Sequence, residues 1–215
     1  MEALERVIIS KDWTTLLILV IVFLIVVSNF IDQKRLQQLF TIPFDSSYRL
    51  NFAHQIWHGF NVLFFVASNL ILSLFIYTIL QHFYPDTIAF TSRPYMRIVG
   101  LLLFYWFFRY SIGKLIAYLF EIKKIHNQIT FIKMSYFFSS SLYLLVFLLF
   151  YLYFFESRTS YFYVVLGIYL FLLIMRYLQL LSLYKRQIVF HLFYFILYLC
   201  ALEIAPLLIA IKIGI

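Results

Sequence analysis

Four charged side chains fall inside long apolar runs of this 215-residue chain: Arg109, Lys114, Arg176 and Glu203. On insertion scales a charge at the centre of a membrane-spanning helix costs about 2.5–3.5 kcal/mol, so unpaired burial is disfavoured. Residues of this kind serve as proton relays, substrate sites or register-setting ion pairs. Glu203 stands three residues before Pro206 in "CALEIAPLLIAIKIGI". Proline has no N–H, so the carbonyl of Leu202 loses its helical partner. Carboxylate and freed carbonyl make one acceptor site, and an arginine with five donors can satisfy both.

Other constellations are weaker. His54 and His58, four apart in "RLNFAHQIWHGFN", have the spacing of two ligands to one metal or haem-like centre. A catalytic zinc helix would place Glu beside the first histidine, and Gln55 stands there instead. The stretch reads more simply as an amphipathic interfacial helix near 48–59. Phe52, Ala53, Ile56, Trp57 and Phe60 share one face, and His54, His58 and Asn61 share the other. There is no G-x-S-x-G, and Ser139–Ser141 read as a patch where transmembrane helices approach closely. A Ser140/His191 pair has no glycine motif to support it, and phosphate-cradling loops are absent. The single cysteine, Cys200, excludes an intramolecular disulfide and any Cys-rich cluster. No cofactor is expected.

The elements that must hold these residues are membrane helices. Hydrophobic residues make up 65% of the chain and charged ones only 12%, against roughly 45–50% and about 25% in soluble domains. A span needs about 20 mostly apolar residues. Six segments qualify: 13–30, 60–81, 95–120, 131–155, 161–182 and 188–212. The expected fold is all-α, a polytopic bundle forming one integral-membrane domain over 1–215. Asp12, Pro94 and Thr159 or Ser160 mark helix starts, and Gly113 and Ala117 make a small-xxx-small pair on the face of Arg109. "SNFIDQKR" follows the first apolar run with no small-x-small cleavage site, so that run reads as a retained helix.

With six spans, loops 31–59, 121–133 and 183–187 share a side and carry Lys34, Arg35, Arg49, Lys123, Lys124, Lys133, Lys185 and Arg186. This excess places them in the cytoplasm and both termini outside it. The +8 net charge therefore belongs to topology and not to nucleic acid, since no basic run is interleaved with exposed aromatics. At about 1.5 Å per residue, Glu203 lies roughly 13 Å and Arg109 roughly 20 Å below the external face. Arg109 is the first expected partner of Glu203, Arg176 the second and Lys114 the third. One acid against three bases suits a structural clamp, or an anionic lipid or partner site, better than a cation path.

"SKDW" before the first span, "KRLQQLFTIPFDSSYR" after it and "LYLCALEIAPLLIAIKI" near the end resemble a Bacteroidota family of multi-pass membrane proteins. It is catalogued as domain of unknown function 4271. The resemblance covers nearly the whole chain and implies an inner-membrane protein of diderm bacteria, with no catalytic residues to carry over. The expected role is a non-enzymatic subunit or assembly factor of a larger membrane complex, of which the type 9 secretion and gliding machinery is one example. The chain's partners would be the bilayer and a protein, or a second copy of itself. A small proton- or ion-coupled transporter using Glu203 is the alternative, and a membrane haem or metal protein using His54, His58 or His191 the third. Few glycines (five) and many large rings (27 Phe, 18 Tyr) favour filled interfaces over a cavity.

Overall fold

A computed structural model describes residues 12–41, 59–84, 92–119, 123–154 and 159–190. Its elements are α1 (Asp12–Ile31), α2 (Gln33–Thr41), α3 (Gly59–Phe83), α4 (Ser92–Leu119), α5 (Lys123–Phe154) and α6 (Thr159–Phe190). All described elements are helical. Among the described residues, four stretches are long and apolar enough to cross a membrane: α1, α3, α4 and Ile129–Phe154 of α5. Within α6 the apolar stretch is shorter, Tyr161–Met175.

The core is built around α3, which packs against α1, α4 and α5, while α5 also packs against α6 and α2. Consecutive long helices run in opposite senses. Trp13 of α1, Tyr77 of α3 and Tyr95 of α4 meet at one end, with centroids 5.4 Å (Trp13–Tyr77) and 5.6 Å (Trp13–Tyr95) apart. At the same end Tyr153 of α5 donates to Thr15 Oγ1 at 3.0 Å, and Phe162 of α6 stacks on His82 at 4.1 Å. Aromatic rings with a polar tip suit a membrane boundary, where one end is apolar and the other wet.

Helix limits differ from the sequence expectation in α5 and α6, where the helix continues into polar sequence. α5 begins at Lys123, well before 131, so Lys123, Lys124 and Lys133 are helical and not loop residues. α6 runs unbroken to Phe190 through "YKRQ", which removes the expected loop at 183–187 and takes over the start expected for a span at 188. Hydrophobicity sets where a helix can sit in lipid, whereas a backbone that bonds within its own segment continues until something breaks it. No proline or glycine follows Gly167 in α6. The sixth span (188–212) and the interfacial helix near 48–59 otherwise lie outside the described residues.

One helix had no counterpart in the sequence expectation. α2 follows α1 after a one-residue break at Asp32, a residue of the stretch read as a loop. Its register is clear in hindsight: Leu36 and Leu39 point inward while Gln33, Lys34 and Gln37 are exposed. Leu39 is fully buried among Phe60, Phe64, Phe138 and Leu142, and Tyr143 of α5 donates to the carbonyl of Phe40 at 2.7 Å.

Candidate functional site

Of the charged residues singled out in the apolar runs, Arg109 and Lys114 are described. Arg176 belongs to the backbone of α6, its side chain outside the described set; Glu203, Pro206, His54, His58 and His191 also lie outside it. Arg109 is half-buried and held by its own helix. Its Nη1 donates to the Tyr105 hydroxyl at 3.0 Å, and the guanidinium lies 5.5 Å from the Trp106 ring centroid. Lys114 is exposed, its Nζ 5.9 Å from the Tyr110 ring. The two cations are not brought together, each being placed over an aromatic face, which attracts positive charge.

Register against α3 fixes their level. Trp106 meets Phe65 at 5.9 Å, and Phe65 stands six residues after Gly59, where α3 begins. Arg109, three residues past Trp106, therefore lies near the lower end of α3. Lys114 lies about 7.5 Å further on, past that end, by the rise of about 1.5 Å per residue. Lys114 is thus peripheral, where its stem can carry the ammonium to water. Gly113 and Ala117, on Arg109's face, are both buried as a close-packing pair should be.

An ion pair that the sequence reading missed lies at the α1–α2 junction. Arg35 is fully buried, its Nε 3.2 Å from Asp32 Oδ2, while a quarter of the Asp32 side chain remains exposed. Asp32 is also the N-cap of α2: its Oδ1 accepts from the Arg35 backbone N–H at 3.2 Å, and its carbonyl accepts from Leu36 N–H. Arg35 was counted as a loop charge. The signal available was an Asp three residues before it, the spacing of a cap whose carboxylate meets the third helical residue.

The third polar feature runs between α3 and α5. Ser141 and Ser68 share a hydrogen bond between their hydroxyls at 2.7 Å, across the two helices and fully inside the core, and Ser141 Oγ also lies 2.8 Å from the Phe138 carbonyl. Neighbouring hydroxyls turn back on their own helix: Ser73 to Asn69 O, Thr78 to Leu74 O, Ser135 to Phe131 O and Ser140 to Tyr136 O, all within 2.7–2.8 Å. A hydroxyl has one proton to donate. Spending it on the carbonyl one turn back leaves only acceptor capacity, so the serine behaves as a small packing residue. Phe64–Phe138 and Phe65–Phe137 contacts, at 5.4 and 6.4 Å, fill the seam below. Ser139–Ser141 thus form the close-approach patch their spacing suggested. Among the described residues, no three His, Cys, Asp or Glu stand close enough to hold a metal ion.

A family model described as "Domain of unknown function (DUF4271)" matches residues 14–213. No curated protein and no solved structure matches the chain.

Proposed function

The chain belongs to the DUF4271 family, and from that premise we propose that it is a non-enzymatic inner-membrane subunit or assembly factor which presents α4 to a protein partner. The carrying observation is a mismatch on α4. Of the four described helices able to cross a membrane, α4 is the least apolar and also the least covered by the other described residues. Only 6% of its most apolar stretch is buried, against 56% in α3 and in α5. α1 is also largely uncovered, at 22% buried, but it is the most apolar of the four, as a lipid-facing helix should be. A helix carrying Tyr105, Arg109, Tyr110 and Ser111 through its lower half gains most from protein contacts, because polar groups are costly against hydrocarbon.

Its outward face suits such a contact. Leu101, Phe104, Phe107 and Leu115 are exposed by 60–71%, and large aromatic anchors dominate interfaces of this kind. The seam between α3 and α5 supports the same reading over transport. Four of its hydroxyls, those of Ser68, Ser135, Ser140 and Ser141, bond to backbone carbonyls or to each other, with Ser139 Oγ the exception, and large rings close the seam beside them. Recovery from native membranes in mild detergent tests the reading. A reproducible stoichiometric partner, a gliding or secretion component among the candidates, is the expected outcome. A lone monomer or homodimer would overturn it.

A further inference from the structure

Two buried polar atoms on the α3–α4 seam make no hydrogen bond: Asn69 Oδ1 and Trp106 Nε1. Asn69 is 2% exposed. One atom is purely an acceptor and the other purely a donor. Neither can turn to water, and in an apolar interior an unmet polar atom calls for a partner.

The register brings them toward each other. Phe65 meets Trp106, while the Tyr95 hydroxyl donates to Leu70 O at 3.3 Å, so α3 and α4 run antiparallel along this seam. Asn69 stands one turn from Phe65 on the same face of α3, opposite the stretch of α4 between Tyr95 and Trp106. Helical side chains lean toward the N-terminus of their own helix. Asn69 therefore leans toward the level of Phe65, and Trp106 leans toward the level of Asn69. The indole packs against Phe65 at 5.9 Å, Phe137 at 5.0 Å and the Arg109 guanidinium, and makes no direct bond to the amide.

We propose that Asn69 and Trp106 hold one ordered water molecule between α3 and α4. The water oxygen accepts the indole N–H, and one of its own O–H groups donates to Asn69 Oδ1. Two such bonds meet the lower limit for a buried water. The bridge fixes α4 against α3 at the level where Arg109 begins, and it goes beyond the partner-binding role of α4, because it concerns the inner face of that helix.

The test uses the full chain in lipid nanodiscs with 15N-labelled tryptophan, the Trp106 indole resonance being assigned through Trp106→Phe. In the unmodified protein the Trp106 N–H should show a through-space cross-peak to water that persists on slow exchange with the bulk. In Asn69→Leu that cross-peak should vanish and the resonance should move upfield. A cross-peak from the indole to the Asn69 side-chain amide, with none to water, would establish a direct bond and overturn the proposal. So would an indole resonance unchanged in Asn69→Leu. The unmodified protein alone decides between water and a direct bond, so the test survives if the variant does not fold.

Discussion

Asp32 caps α2 and at the same time neutralises Arg35, whose side chain has no exposure at all. One carboxylate thus serves both the start of α2 and a buried cation. Removing one partner of a fully buried pair costs roughly 3–5 kcal/mol. The loss here should be smaller, because part of Asp32 reaches solvent and water can screen it. Asp32→Asn should retain the cap but lose the charge, and Asp32→Ala should lose both. Thermal unfolding followed by size-exclusion chromatography should rank Asp32→Ala below Asp32→Asn, and both below the unmodified protein. Equal midpoints for all three would refute the dual role.

Ser141→Ala and Ser68→Ala should each lower stability by about 0.6 kcal/mol and by no more than about 1.7, the average and the maximum measured for hydrogen bonds between membrane helices. The double variant should cost no more than the worse single one, since both remove the same bond. Ser73→Ala and Ser140→Ala remove only bonds back to their own helix, so they should be nearly neutral. A double-mutant cycle with additive losses at positions 68 and 141 would show that the bond carries no coupling.

Glu203, the expected partner of Arg109, lies outside the described residues, so the pairing stands as a prediction. Arg109 sits on the inner stripe of α4 with Trp106, Gly113 and Ala117, where a further helix can approach closely. Arg109→Glu and Glu203→Arg should each sharply lower the amount of protein recovered from membranes, and the double exchange should restore much of it. Loss that is simply cumulative in the double variant would dissociate the two residues.

The spans were legible because a bilayer imposes a length on apolar runs, and α1 and α3 begin and end within two residues of those runs. Helix ends in polar sequence were not. Lys123 and Lys185 looked like loop residues because charge leaves the membrane, yet nothing in their neighbourhood breaks a helix. α2 was hidden for a related reason: "QKRLQQLF" is too polar for a span, and the two-leucine stripe that buries it is short. The serine patch was readable from residue size alone. Asn69 and Trp106 were not, because an asparagine in an apolar run gives no sign of which neighbour it will face until the helices are paired.

Phe107 projects from α4 with 71% of its surface exposed, which makes it the most direct probe of what covers that helix. A photo-crosslinking phenylalanine analogue at position 107, irradiated in native membranes, should transfer the chain into one discrete band containing a second protein. The same analogue at Phe23 of α1, also outward-facing, should yield mainly lipid adducts. If position 107 likewise captures only lipid, α4 has no protein partner and the subunit reading is contradicted.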